Sequence, residues 1–205
     1  MGKNVVITGG GTGIGKAIAF AFAQAGAASV SIIGRRADRL QAAVRVISAS
    51  AKENTKVMSQ VGDISNRASI GAAFTSISQQ AGDIDILVQS AGVLPKLEPI
   101  RGYDEDEFRR GLDLNVVGTF NSLQAFLPCA KSDATILNVS SLFASGPPAA
   151  HAFSYATTKI ATLKMLDYLG LENPGLHVVS FHPGIVSTEM NAENDQDFPD
   201  EGRSK

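Results

Sequence analysis

The chain has 205 residues, which is enough for one domain with a substantial core. It is 44% apolar and 19% charged with a net charge of −2, which excludes a disordered chain and argues against nucleic-acid or membrane-surface partners. A single cysteine, Cys129, excludes an intramolecular disulfide and favours a reducing compartment. Because the first predicted strand starts within the first few residues and no segment is typical of a membrane span, we expect a cytoplasmic protein.

The first predicted strand leads into a glycine-rich turn and then a helix. The segment from Val5 to Gly15 reads VVITGGGTGIG, and good helix formers follow from Lys16. Glycines permit a tight turn and a close approach of phosphate to the backbone, and the helix N-terminus presents N–H groups to an anion. The pattern therefore predicts a dinucleotide-binding turn; the alternative is an ordinary turn between strand and helix.

Two arginines follow the second predicted strand. The first helix should end at Gly26, the strand covers 29–33, and Arg35 and Arg36 come directly after Gly34. In a doubly wound sheet this strand end meets the adenosine ribose. Arginines there suit a 2′-phosphate, so the sequence predicts NADP(H) rather than NAD(H) as cofactor; the alternative is two solvated arginines at the start of the next helix.

The rest of the chain alternates between predicted helices and strands. This alternation predicts an α/β fold with a parallel sheet of about six strands covered by helices on both faces. We expect one domain over 1–190 that also carries the active site, and a polar, disordered tail over 191–205. The remaining helices are predicted over 38–51, 68–80, 104–127 and 152–169, and the remaining strands over 56–61, 84–88, 135–139 and 176–181.

Two polar residues, Asp63 and Asn115, allow two interpretations each, and a run of small residues lies between them. Asp63 could accept a hydrogen bond from an adenine amino group, or cap the helix that begins near Ser65. Ser90, Ala91 and Gly92 are small enough for the backbone to pass close to a ligand. Asn115 is a poor interior helix residue, so it either bonds the local backbone and bends the helix or has a function.

Tyr155 and Lys159 are four residues apart on one predicted helix and therefore share a face. A nearby ammonium would lower the pKa of a tyrosine, which could then exchange a proton with a substrate oxygen. Ser141, at the end of the fifth predicted strand, could donate a hydrogen bond to the same oxygen. The alternative is a surface Tyr–Lys pair. The presence of Ser141 and the glycine turn earlier in the chain argues against it.

From about Asn4 to Met190 the chain resembles the short-chain dehydrogenase/reductase family, in the branch with a TGxxxGxG turn and a YxxxK active site. The resemblance implies a Rossmann fold in three α/β/α layers and the catalytic residues Asn115, Ser141, Tyr155 and Lys159. In that family the asparagine holds a water that links the lysine to solvent, and the lysine contacts the nicotinamide ribose. The cofactor contacts that the resemblance implies or the pattern predicts are Thr8, Gly9, Gly11, Thr12, Gly13, Ile14, Gly15, Arg35, Arg36, Asp63, Ile64, Ser90, Ala91, Gly92, Asn115, Tyr155, Lys159, Pro183, Gly184, Ile185 and Thr188.

Three departures from the family pattern affect the site. Gln89-Ser90 stands where Asn-Asn is usual, and the shorter Ser90 should weaken a cofactor contact. Ser140 and Ser141 are adjacent, and we select Ser141 because its spacing to Tyr155 is closer to the usual one. Only 17 residues follow Thr188, whereas family members continue into a seventh strand and a final helix. We therefore expect the sixth strand to form an exposed edge and the substrate site to lack part of its cover.

The main hypothesis is an NADP(H)-dependent oxidoreductase that transfers hydride between nicotinamide and a carbonyl or secondary alcohol, with Tyr155 as general acid/base. The alternative is a truncated, weakly active or non-catalytic NADP-binding protein. The family resemblance also implies a homodimer. His151, His177 and His182 do not cluster at metal-ligand spacing, so no metal site is predicted, although His151 and His182 flank the expected substrate pocket.

Overall fold

The structure is a computed structural model that describes residues 2–184, 186 and 188–192. Within these residues six parallel strands form one sheet in the order β3-β2-β1-β4-β5-β6, which confirms the predicted doubly wound α/β fold. The strands are β1 (Asn4–Thr8), β2 (Ser29–Gly34), β3 (Lys56–Val61), β4 (Ile84–Gln89), β5 (Ala130–Val139) and β6 (His177–Phe181).

Helices connect the strands and cover both faces of the sheet. They are α1 (Gly13–Gln24), α2 (Ala37–Ser50), α3 (Arg67–Ala81), α4 (Glu105–Leu112), α5 (Gly118–Phe126), α6 (Phe153–Glu172) and α7 (Glu189–Ala192), with short 3-10 turns at Leu127–Cys129 and Leu142–Ala144. None of these described helices is both long and apolar enough to cross a bilayer.

The prediction of a single helix over 104–127 is wrong in detail. The structure divides it into α4, a π-helical segment at Asp113–Val117 and α5. Asn115 lies in the middle of the π-helical segment and is buried. A π-turn inserts an extra residue into the helix and rotates the side chains that follow. Asn115, which is unfavourable inside a regular helix, therefore lies where the helix is interrupted.

Two apolar cores lie on opposite faces of the sheet. Because successive side chains of a strand alternate between faces, Val5 and Ile7 of β1 belong to one core and Val6 to the other. Ala19 of α1 packs in the first core, and Phe74 of α3 packs in the second. Both faces of the central strands are buried, so the layers are helix, sheet and helix.

Asp85 holds the amino ends of the central strands together. Its buried carboxylate accepts hydrogen bonds from Lys3 Nζ at 3.1 Å, Lys131 Nζ at 2.8 Å and the backbone N–H of Asn4 at 2.8 Å. Burial raises the pKa of Asp85, but these hydrogen bonds outweigh it and the pKa lies below its ordinary value. This cluster lies at the end of the sheet opposite to the glycine turn.

β6 is the last strand of the sheet at one side, as expected. Its Val179 and Phe181 are 48% and 36% exposed. After β6 the short helix α7 covers Glu189–Ala192. Residues 191 and 192 belong to α7, and the rest of the tail predicted over 191–205 lies outside the described residues.

Candidate active site

A cavity of about 310 Å³ opens at the carboxyl ends of the strands. It forms where β1 lies between β2 and β4, since the connections from these strands leave in opposite directions and open a crevice. Predicted site residues that line the cavity are Gly9, Gly11, Thr12, Gly13, Ile14, Gly15, Arg35, Arg36, Ile64, Ser90, Ala91, Gly92, Ser141, Tyr155, Lys159, Pro183, Gly184 and Thr188. Ile185 lies outside the described residues.

Glycines make the turn between β1 and α1 tight. Gly9 has a φ of 70°, and a Cβ on it would lie 2.9 Å from the backbone N of Ala91. A Cβ on Gly15 would lie 2.5 Å from the carbonyl oxygen of Gly9, so the start of α1 packs directly on the turn. Only glycine permits these approaches.

The same turn fits the pyrophosphate of a dinucleotide. Gly11 lines the cavity, and a Cβ on it would lie 3.5 Å from Leu40 Cδ2. The Thr12 side chain makes no cap hydrogen bond to the described helix, and no acidic residue lies in the first turn of α1. The positive end of the helix dipole therefore faces the cavity without a competing anion from that turn.

Thr8 lies behind the cavity and not in its lining. Its fully buried Oγ1 donates to Gln89 Oε1 at 3.0 Å and accepts from the backbone N–H groups of Ser90 and Ala91, both at 3.2 Å. Thr8 thus ties the end of β1 to the loop after β4. Gln89, which departs from the family pattern, is used in this buried contact.

Asp63 does not cap the following helix. Its Oδ1 accepts from the backbone N–H and the hydroxyl of Ser65 at 2.9 and 2.8 Å, and the N-cap is Asn66, which accepts from Ser69 N. The expectation of an Asp63 cap was wrong because a better-placed amide oxygen follows it. Asp63 is not part of the cavity lining described above, whereas its neighbour Ile64 is.

Tyr155, Lys159 and Ser141 meet at one side of the cavity. Lys159 Nζ lies 5.5 Å from the centre of the Tyr155 ring and donates to the carbonyl oxygen of Val139 at 3.0 Å. Burial raises the pKa of Tyr155 to about 12, an effect that a hydrogen bond with Ser141 partly offsets. Burial also lowers the pKa of Lys159 to about 8.

The expected lowering of the Tyr155 pKa by Lys159 is therefore not found in this state. Desolvation disfavours both the phenolate of Tyr155 and the ammonium of Lys159. At neutral pH the phenol keeps its proton. An added positive charge in the cavity would favour the phenolate.

Asn115 does not line the cavity but fixes one of its walls. Its Oδ1 accepts from Val93 N at 2.8 Å, and its Nδ2 donates to Val93 O at 2.9 Å and to Thr158 Oγ1 at 3.1 Å. The side chain thus bonds a distant loop and α6, not the local backbone. The water-holding role that the resemblance implies for Asn115 stays a prediction.

Sequence reasoning missed three cavity residues with chemical relevance. Arg39 lies one helical turn after Arg35 and Arg36 and lines the same cavity, which its spacing could have indicated. Phe143 packs edge-on against Tyr155 with ring centres 6.1 Å apart. Glu189 pairs with Arg39, and no local pattern could have found that contact. His182 lines the cavity, whereas His151 is an exposed loop residue with a φ of 66°.

A doubly wound sheet whose crevice joins a glycine turn to a Tyr–Lys pair defines a dinucleotide-binding oxidoreductase site. The family model of short chain dehydrogenases matches residues 3–198, and the chain belongs to that family. No group of three or more side chains suited to a metal ion occurs among the described residues.

Similar proteins agree with this assignment. The chain is 34% identical over 201 residues to a short chain dehydrogenase of Pseudocercospora fijiensis, covering 95% of this chain and 63% of that protein. It is 32% identical over 195 residues to an uncharacterized oxidoreductase of Staphylococcus aureus, covering 93% and 80%. The chain thus spans between 63% and 80% of the length of these curated relatives.

Solved structures share the fold. A short-chain type dehydrogenase/reductase from Mycobacterium ulcerans superposes with a TM-score of 0.88 at 29% identity, covering 95% of this chain and 71% of that one. An alcohol dehydrogenase from Thermococcus sibiricus, complexed with 5-hydroxy-NADP, has a TM-score of 0.80 at 25% identity over 87% and 75% of the two chains. An NAD+-bound xylitol dehydrogenase also reaches 0.80, at 26% identity over 89% and 70%. The similar structures therefore include both cofactor types.

Proposed function

We propose that the chain is an NADP(H)-dependent oxidoreductase acting on a carbonyl or secondary alcohol, with Tyr155 as general acid/base. One observation carries the proposal: Tyr155, Ser141 and Lys159 line the same cavity as the glycine turn. A dinucleotide seated on that turn would have its reactive end within the cavity that holds the phenol. The bound cofactor would supply or accept the hydride.

The chain's own residues account for the proton. In the reductive direction Tyr155 Oη donates its proton to the substrate carbonyl oxygen, and Ser141 donates a second hydrogen bond that polarises the same carbonyl. The Lys159 ammonium, held by the carbonyl of Val139, stabilises the phenolate that forms. In the oxidative direction the phenolate takes the proton of the alcohol.

The arginines support NADP(H) over NAD(H). Arg35, Arg36 and Arg39 line the cavity at the carboxyl end of β2, where the adenosine ribose of a dinucleotide lies in this fold. Guanidinium groups match the geometry of a phosphate. Phe143, Leu94 and Leu114 also line the cavity, which favours a substrate that is neutral and of modest polarity.

Tyr155→Phe tests the mechanism. The variant loses the transferable proton, so we expect turnover across a panel of carbonyl compounds to fall by about a hundredfold or more. NADPH affinity, measured by fluorescence titration beside NADH, should stay within about twofold of the wild type. Tyr168→Phe removes a hydroxyl from the same helix at an exposed position and is the matched control.

The turnover assays and cofactor titrations distinguish the enzyme hypothesis from its alternative. Wild-type turnover in Tyr155→Phe would refute the acid/base role. NADPH binding by the wild-type chain without turnover on the panel would favour the non-catalytic NADP-binding alternative. Tighter binding of NADH than of NADPH would refute the cofactor preference.

We also propose that the chain is a cytoplasmic homodimer. Its single cysteine fits a reducing compartment. Exposed apolar side chains on α5 and α6 support an interface between copies: Phe120 is 41%, Ile160 54% and Leu171 77% exposed. Such a face is typical of a surface that another chain covers.

A further inference from the structure

The carboxylate of Glu189 forms ion pairs with two of the arginines that line the cavity. Its Oε1 lies 3.0 Å from Arg39 Nη1, and its Oε2 lies 3.7 Å from Arg36 Nη2. All three side chains line the cavity and are about half exposed, with 58% for Glu189. An anion of this chain therefore already holds the guanidinium groups that face the proposed 2′-phosphate position.

The segment that carries Glu189 also lies over the glycine turn. Thr188 Cγ2 is 3.3 Å from the position that a Cβ on Gly13 would take. Thr188 thus lies beside the glycine turn and Glu189 beside Arg39 of α2, and both line the cavity. Glu189 is 150 residues from Arg39 in the sequence, so this contact depends on the path of the segment after β6.

A carboxylate and a phosphate compete for the same guanidinium groups. A 2′-phosphate that pairs with Arg36 and Arg39 must displace Glu189 or remain close to it, and two anions at that distance repel each other. Exposed ion pairs are individually weak, so a phosphate can displace the carboxylate at a modest loss of affinity. A dinucleotide with free ribose hydroxyls does not need these guanidinium groups and avoids the competition.

We propose that Glu189 sets cofactor selectivity: its carboxylate competes with the 2′-phosphate for Arg36 and Arg39 and weakens NADP(H) binding relative to NAD(H). The proposal rests on the proposed NADP(H) dependence, because it assigns these arginines to the 2′-phosphate. It makes Glu189, and not the arginines alone, a determinant of how strongly the chain prefers the phosphorylated cofactor.

Calorimetric titration of the full chain with adenosine 2′,5′-bisphosphate and with AMP tests the proposal without turnover. Glu189→Gln should bind the bisphosphate about three- to tenfold more tightly than the wild type and bind AMP within about twofold. The gain should shrink at high salt because the contacts are exposed. NADPH and NADH titrations should follow the same pattern.

Glu105→Gln is the matched control. It removes an exposed carboxylate, 75% exposed against 58% for Glu189, that pairs with Arg109 at 2.6 Å on α4, and it changes the net charge by the same amount. A bisphosphate gain in this control equal to that in Glu189→Gln would assign the effect to overall charge and overturn the proposal. In an Arg36→Ala/Arg39→Ala background, Glu189→Gln should have no effect on bisphosphate binding.

The outcomes distinguish this proposal from the proposed function. If the double arginine variant loses its preference for the bisphosphate but Glu189→Gln binds like the wild type, NADP(H) dependence stands and the role of Glu189 is wrong. If neither the wild type nor Glu189→Gln distinguishes the bisphosphate from AMP, both are wrong. A preference for the bisphosphate over AMP that is present in Glu189→Gln and absent in the wild type supports the proposal.

Discussion

At the scale of single residues, the burial of Lys159 costs folding free energy, which its proposed catalytic role would explain. Burial lowers its pKa to about 8 from an ordinary 10.5, so the folded chain holds this proton less tightly than the unfolded chain. Below about pH 8 the lysine is charged in both states and folding bears the full cost of burying the charge. As pH rises from about 8 to 10.5, the folded state loses its proton first and the cost disappears.

Lys159→Met should therefore stabilise the chain near neutral pH while it abolishes turnover. A methionine fills similar volume without a charge, and the lost hydrogen bond to Val139 O offsets part of the gain. We expect the free energy of unfolding to rise by about 1–3 kcal/mol near pH 7 and the gain to shrink towards about pH 10, measured by urea denaturation. Lys164→Met, at an exposed site on the same helix, is the control. A gain that does not change with pH would contradict the explanation.

At the scale of elements, two glycines of the turn differ in what their missing side chains allow. Gly15 allows α1 to pack on the turn, because a Cβ there would meet Gly9 O at 2.5 Å. Gly11 instead leaves space in the cavity, where a Cβ would make an ordinary 3.5 Å contact with Leu40. Gly15 thus serves packing, and we propose that Gly11 leaves room for the cofactor.

Alanine substitutions should divide these roles. Gly15→Ala should lower the free energy of unfolding by about 1–3 kcal/mol, because the turn must shift. Gly11→Ala should keep wild-type stability within about 0.5 kcal/mol but weaken NADPH binding at least about tenfold, since the methyl group enters the pyrophosphate cradle. Thermal denaturation and fluorescence titration of both variants would measure this.

Gly71 provides the control for these substitutions. It lies in α3, where a Cβ would meet open space among the described residues, so Gly71→Ala should be neutral or stabilising by up to about 1 kcal/mol. Equal stability losses in Gly15→Ala and Gly11→Ala would refute the division of roles.

The interruption of the predicted long helix is also an effect at this scale. Periodicity alone favours one helix over 104–127, and local propensity allows it. The side chain of Asn115 instead bonds Val93 and Thr158, which are 22 and 43 residues away. Contacts of that range cannot be inferred from a local pattern, so the π-helical segment became visible only in the structure.

At the scale of the whole molecule, α5 and α6 each present an exposed apolar side chain. Phe120 of α5 is 41% exposed and Ile160 of α6 is 54% exposed. An interface that buries them would pair two copies through these helices and leave the cavities accessible. We expect a dimer in solution scattering.

Phe120→Asp combined with Ile160→Asp should convert the dimer to a monomer, because two carboxylates per chain would be buried in the interface without partners. Val46→Asp, which changes a 47% exposed apolar residue on α2, should remain dimeric. A monodisperse tetramer of the wild type, or an unchanged dimer in the double variant, would contradict the proposed interface.

The sequence by itself determined the alternation of strands and helices, the glycine turn and the spacing of Tyr155 and Lys159, because these depend on neighbours within a few residues. Tertiary structure alone decided three other features: the order of the strands, the burial that raises the pKa of Tyr155 and lowers that of Lys159, and the contact of Glu189 with Arg36 and Arg39. Each depends on residues far apart in the chain. Desolvation and long-range ion pairs arise only when the fold brings such residues together.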